Sequence, residues 1–172
     1  MIKQIDKMIQ INLETERLLI EPLKLDDGDF MFKLLNTEGW IKFISNRNIK
    51  TKEDATAYIQ KILHDVNYTY LVFSLKETNS PIGLVTLIKR DFLDYCDIGF
   101  AILPEYENSG YSLEATCKFL LEIEKSKLYT KIVAITVPEN VSSISLLKKM
   151  DFIYEKKILK GEEVLSVYNK IL

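Results

Sequence analysis

Pro104-Glu-Tyr-Glu-Asn-Ser-Gly-Tyr-Ser-Leu-Glu-Ala115 is a polar stretch between two different hydrophobic patterns. Before it runs Cys96-Asp-Ile-Gly-Phe-Ala-Ile-Leu103, which reads as a buried strand, and after it apolar residues recur at helical spacing from about Tyr111 to Lys125. A turn from a buried strand into a helix presents unpaired backbone N–H groups at the positive end of the helix dipole. Gly110 removes the side chain that would hold an anion away from them. The stretch is a candidate cradle for a pyrophosphate, or a turn in which the glycine serves only for its backbone freedom.

The pattern extends in both directions. Downstream, Lys131-Ile-Val-Ala-Ile-Thr136 is a strand, and Asn140-Val-Ser-Ser-Ile-Ser-Leu-Leu-Lys-Lys-Met-Asp-Phe152 reads as a helix over Val141 to Lys149 that Asn140 caps. Phe152-Ile-Tyr154 and a closing strand from Val164 to Ile171 follow. Upstream, Tyr70 to Leu75 and Ile82 to Ile88 join Cys96 to Leu103 in an antiparallel meander, broken at Thr78-Asn-Ser-Pro81 and at Arg90-Asp91. Earlier still, Glu16 to Leu23 is a first strand, and Asp26 and Asp27 precede a short helix carrying Phe30, Met31, Leu34 and Leu35. Thr51 opens another helix through about Leu63, with Ala55, Tyr58, Ile59 and Ile62 on its apolar face. The segment from Thr37 to Lys50 fits neither period. No repeat or linker interrupts the chain, so its 172 residues are expected to form one mixed α/β domain around a central sheet, after an N-terminal extension of residues 1–11.

Composition narrows the partners. With 23 basic against 25 acidic residues the net charge is -2, which offers no general attraction to nucleic acid or anionic lipid, so any phosphate site must be local. Cys96, Cys117 and the lone His64 form no short metal-ligand spacing, and two cysteines do not make a secreted disulfide framework. No run approaches the roughly 18 apolar residues of a membrane span, and Lys3, Asp6 and Lys7 interrupt what would be a signal core. The expectation is a cytoplasmic protein without a metal.

In this order, with a strand between them, the two glycine- and asparagine-bearing stretches resemble the coenzyme A motifs of the GNAT superfamily of N-acetyltransferases. The first is matched by Glu107, Asn108, Ser109, Gly110, Tyr111 and Ser112, and the second by Asn140, Ser143, Leu146 and Phe152. Leu13-Glu-Thr-Glu-Arg-Leu-Leu-Ile20 and Asp97-Ile-Gly-Phe100 look like the first and fourth strands of that superfamily's ribosomal-protein N-terminal acetyltransferase branch. The chain departs from the pattern at Glu107, where many members carry glutamine or arginine, at Ser112, where glycine or alanine is usual, and at Asp151, which replaces a glycine. A carboxylate beside a pyrophosphate is unfavourable by Coulomb's law, less so at an exposed turn.

The resemblance implies a mostly antiparallel sheet of about six to seven strands flanked by about four helices. It implies acetyl-coenzyme A as co-substrate and a small-molecule or peptide amine as acceptor, in a monomer or homodimer. It also implies that Phe100, Ala101 and Ile102 pair their backbone with the pantetheine arm and turn one N–H toward the thioester carbonyl. Asp97 is the candidate to take a proton from the amine, or else a solvated strand carboxylate. Ser143 is the candidate partner of the coenzyme sulfur, since the tyrosine many members place further along this helix is absent and Leu146 and Leu147 stand there; the other reading is a hydroxyl bonding back to a helix carbonyl. Trp40, Phe43 and Arg47 are either the acceptor wall or core packing and a surface charge. The competing functional reading is a GNAT-like module that binds coenzyme A or a partner without turnover. A Rossmann nucleotide enzyme does not fit, because the meander precedes the turn and no Gly-x-Gly-x-x-Gly follows the first strand.

Overall fold

A computed structural model of the chain describes residues 12–172, so the expected N-terminal extension, Met1 to Ile11, lies outside the described residues. The hairpin β1 (Leu13–Glu14) and β2 (Leu18–Pro22) leads through a 3-10 turn at Leu25–Asp27 into α1 (Gly28–Leu35), α2 (Glu38–Phe43) and α3 (Lys52–His64). The meander β3 (Tyr68–Leu75), β4 (Pro81–Ile88) and β5 (Asp97–Ile102) follows. The chain then alternates through α4 (Tyr111–Ser126), β6 (Lys131–Thr136) and α5 (Val141–Lys149), and closes with β7 (Ile153–Lys160) and β8 (Glu163–Ile171).

Eight strands form one sheet in the order β1-β2-β3-β4-β5-β6-β8-β7, antiparallel at every pairing except β5 with β6. This is the expected architecture, enlarged by the two-residue β1 and by a longer β7. The latter begins in the expected Phe152-Ile-Tyr154 strand but runs on to Lys160, an extension that escapes sequence reading because it is exposed except at the half-buried Ile158, so no core period marks it. The unassigned segment after Thr37 contains α2, a helix too short to show a period. Thr37 caps it by accepting the Trp40 N–H at 3.2 Å. A capping box starts α3: the Thr51 hydroxyl accepts the Asp54 N–H at 3.1 Å, and the Asp54 carboxylate accepts the Thr51 N–H at 3.0 Å.

Strand alternation sends successive residues to opposite faces, and each face has its own core. Leu71 and Phe73 of β3 and Ile98 of β5 pack with Ala115, Phe119, Leu120 and Ile123 of α4 and Leu147 of α5. Tyr70 and Val72 of β3 and Leu84 of β4 pack on the other face with Phe30, Met31, Leu34, Trp40, Ala55, Ile59 and Ile62 from α1 to α3. The sheet is therefore sandwiched, and α4 and α5, which follow the two parallel strands, lie on the same side of it. Among the described residues no helix is long and apolar enough to cross a membrane.

Candidate active site

The sheet is interrupted between its parallel strands. Among the described residues β5 and β6 pair at one position, Asp97 opposite Val133, with the Val133 N–H donating to the Cys96 carbonyl at 3.0 Å. Beyond that rung the strands part, although β5 stays paired with β4 to Ile102 and β6 with β8 to Thr136. The Leu103 N–H donates to the Ile82 carbonyl at 2.9 Å, on the β4 side. Backbone groups alternate along a strand, so the N–H and C=O of Phe100 and Ile102 turn the other way, into the opening. An unpaired strand edge inside a sheet is a template for an extended polar chain.

Asp97 stands at the vertex. Its Oδ1 accepts the Ile135 N–H at 3.1 Å, where a regular ladder would place the next β5 carbonyl, and its Oδ2 accepts from Arg90 Nε at 2.6 Å. The carboxylate is 3% exposed. Burial pushes its pKa up from 3.8 to about 6, with the Arg90 charge and hydrogen bond and the Ile135 N–H pulling the other way. The expected proton acceptor is thus set into the sheet, one oxygen on a guanidinium and the other on a backbone amide, rather than displayed in a cleft.

The expected anion turn follows β5 directly. After a 3-10 turn at Pro104–Tyr106, Asn108 and Gly110 adopt left-handed φ values of 58° and 82° on either side of Ser109. Such reversals curl successive N–H groups toward one concave side. None of the N–H groups from Asn108 to Leu113 donates a hydrogen bond to another described residue. A helix start leaves about four such donors free, so the turn extends the set beyond the helix itself. Glu107 is exposed at the head of the turn, where its carbonyl accepts the Ser109 hydroxyl at 3.3 Å. Tyr111 and Ser112 open α4.

At the matching end of β6, Asn140 caps α5 by accepting the Ser143 N–H on Oδ1 at 3.1 Å. The half-buried Ser143 hydroxyl makes no hydrogen bond among the described residues, so it does not bond back to a helix carbonyl. Because β5 and β6 are parallel, the two helix starts carrying Gly110 and Asn140 lie beyond the same ends of the strands, the ends at which the sheet opens. Ligands of open α/β sheets bind at such carboxyl ends.

The three residues expected on the acceptor wall are not one cluster. Trp40 is 4% exposed and belongs to the core of α1 to α3, with its Nε1 buried and unpartnered among the described residues. Phe43 is half-buried under the Lys42 ammonium, 5.0 Å from its ring centroid. Arg47 is exposed and lies 5.7 Å from the Tyr58 ring. Tyr58 packs against the same core as Ala101, the β5 residue that faces α1 to α3, and as Tyr70, whose hydroxyl is pushed well above its ordinary range by burial and by the neighbouring Tyr58 hydroxyl. Tyr58 and Tyr70, from α3 and β3, meet only across the fold, and Arg90 reaches Asp97 from the turn before β5, pairings that local pattern could not supply. A separate cavity of about 310 Å³ lies near the starts of β5 and β6, lined by Leu87, Cys96 and Tyr129 among others. Its lysines are already engaged, Lys89 by the Leu93 and Asp94 carbonyls at 3.1 Å and Lys131 by Glu155 at 2.8 Å.

Known proteins are similar to this chain in sequence and fold. YnaD of Bacillus subtilis (strain 168), an uncharacterized N-acetyltransferase, is 28% identical over 157 residues, covering 89% of this chain and 91% of its own. The acetyltransferase (GNAT family) from Bacillus anthracis has the same fold at 23% identity, with a TM-score of 0.78 over 94% of this chain and 98% of that one. RimL, an alpha-N-protein acetyltransferase of a ribosomal protein, solved in complex with coenzyme A, matches at a TM-score of 0.80 and 10% identity, over 92% of this chain and 96% of its own. The family model of the acetyltransferase (GNAT) domain matches residues 17–153, which takes in the open pair of strands and both helix starts, and this chain belongs to that family of acetyltransferases.

Proposed function

We propose that the protein transfers the acetyl group of acetyl-coenzyme A to a primary amine, and that the opening between β5 and β6 is where the two meet. The observation that carries this reading is the coincidence, at one end of the sheet, of a β5 edge with free N–H groups and a turn whose amides from Asn108 to Leu113 are unpartnered. The first suits an extended amide-bearing arm and the second a diphosphate. Asn108, Ser109, Gly110, Tyr111 and Ser112 would hold the diphosphate, and Phe100, Ala101 and Ile102 the pantetheine. When bound, the coenzyme supplies the acetyl group as an activated thioester.

Each remaining provision falls to this chain. The Phe100 N–H, turned into the opening, stabilises the charge that develops on the thioester oxygen. As the N–C bond forms and the C–S bond breaks, the nitrogen gives up one proton and the departing sulfur takes up one, with the Ser143 hydroxyl solvating the sulfur or passing that proton to it. Arg47 and Tyr58, on the α1 to α3 side of Ala101, flank the approach of the amine. Asp97 keeps the vertex of the opening in place by occupying the Ile135 N–H.

The test has two steps. Acetyl-coenzyme A should raise the melting temperature, as any ligand selective for the folded state does. Thiol release should then be followed across peptides with free N-termini, amino acids, polyamines and aminoglycosides. A thermal shift without thiol release on any amine would favour a binding module, and no shift at millimolar ligand would remove the coenzyme from the site.

A further inference from the structure

Arg17, at the corner of the β1–β2 hairpin, is 97 positions away from Glu114 in sequence and bound to it in space. Its Nε and Nη2 meet Glu114 Oε2 at 2.7 and 2.6 Å, and its backbone N–H donates to Oε1 at 3.1 Å. The Thr15 hydroxyl also donates to Oε1. The guanidinium lies 4.3 Å from the Tyr111 ring centroid, and its Nη1 donates to the Ser109 carbonyl at 3.1 Å. With this carboxyl, burial acts upward, but the Thr15 hydroxyl and the Arg17 groups outweigh it and hold Glu114 below its ordinary range.

We infer that Arg17 is a positioning residue for the coenzyme diphosphate, acting through the Ser109 peptide; the inference rests on the reading of this turn as the diphosphate site. In a planar trans peptide the C=O and the following N–H point in opposite directions. Tethering the Ser109 carbonyl to Arg17 therefore aims the Gly110 N–H away from the guanidinium. That is the free amide at the left-handed centre of the turn. The same guanidinium neutralises Glu114, whose carboxylate sits in the first turn of α4 and would otherwise repel a phosphate. Exposed ion pairs are ordinarily worth little, and Arg17 is 43% exposed on its side chain. This one is forked and braced by the Thr15 hydroxyl and the Arg17 N–H, so the tether is geometrically fixed. A lysine has neither the planar fork nor enough directed donors to hold Glu114 and Ser109 together.

Isothermal titration of wild type, Arg17→Ala and Arg17→Lys with acetyl-coenzyme A and with acetyl-pantetheine, which lacks the diphosphate, tests the inference. Arg17→Ala should weaken acetyl-coenzyme A about tenfold or more and leave acetyl-pantetheine within about twofold; Arg17→Lys should fall between wild type and Arg17→Ala. Equal binding of acetyl-coenzyme A by folded Arg17→Ala and wild type overturns the inference, as does equal loss of both ligands. So does wild-type affinity in Arg17→Lys, which would make charge alone sufficient, and this comparison stands if Arg17→Ala does not fold. Wild-type protein that binds no acetyl-coenzyme A overturns the reading of the turn itself, and the inference with it.

Discussion

Replacing Asp97 by asparagine tests whether this carboxylate braces the opening of the sheet or takes the substrate's proton. Burial is the main reason its pKa stands at about 6 rather than 3.8. The folded protein therefore keeps this proton to a higher pH than the unfolded chain does. Between about pH 4 and pH 6 the folded state is protonated here and the unfolded chain is not, so stability falls as pH rises through that window. Below and above it the group contributes no slope. The rise from 3.8 to about 6 is worth about 3 kcal/mol, or about 6–12 °C in Tm for a chain of this size. Asparagine keeps an oxygen for the Ile135 N–H but has no proton to release. The stability of wild type relative to Asp97→Asn should thus decline by about 3 kcal/mol from about pH 3 to about pH 7. Urea unfolding of both proteins at closely spaced pH values measures it. The pH–rate profile of amine turnover should keep its shape in the variant, since the two carboxylate oxygens face Arg90 and the Ile135 N–H. A stability difference that does not change with pH, beside a pH–rate profile that does, would refute the bracing role and restore Asp97 as proton acceptor.

The other predictions concern the turn and the helix that follows β6. Gly110→Val places a β-branched residue at a φ of 82°, which costs about 1–2 kcal/mol or more in backbone strain. Its Cβ would have ordinary room, 3.4 Å from Arg17 Nη2, so the fold should survive while acetyl-coenzyme A affinity drops at least about tenfold by titration calorimetry; unchanged affinity would move the diphosphate elsewhere. Glu107→Gln removes a carboxylate from the exposed head of the proposed diphosphate turn and should tighten acetyl-coenzyme A binding about twofold to fivefold at low salt, an advantage that fades as salt is added. Equal binding at low ionic strength would show that Glu107 points away from the ligand. Ser143→Ala should lower kcat about tenfold to a hundredfold with little change in the KM for acetyl-coenzyme A, because the sulfur carries charge only as the transition state develops; steady-state kinetics on the best amine decides, and a changed KM at constant kcat would make Ser143 a binding group.

Much of the fold was legible in the sequence because it rests on short-range periodicity. Period-two runs gave β3 to β6, helical spacing gave α1, α3, α4 and α5, and Thr51 and Asn140 marked helix starts through hydrogen bonds that reach only three residues. Gly110 announced the turn because a left-handed backbone there excludes most side chains. Of β7 only the start at Phe152-Ile-Tyr154 was legible, because the rest has no buried face, and the short α2 left no trace for want of length. The tertiary structure alone decided which chemistry-bearing side chains meet. Asp97 reads locally as an acidic strand residue with a free carboxylate, and only the approach of β6 and the chain turn at Arg90 bury it and give it two partners. Thr15 and Arg17 lie in the stretch that resembles an opening strand and Glu114 lies in the polar turn stretch, and only the passage of α4 beside the first hairpin makes them a clamp on Ser109. Local sequence fixes backbone conformation because sterics and hydrogen bonding act over a few residues. Partners across the sheet are chosen by strand order and packing, which no window of sequence contains.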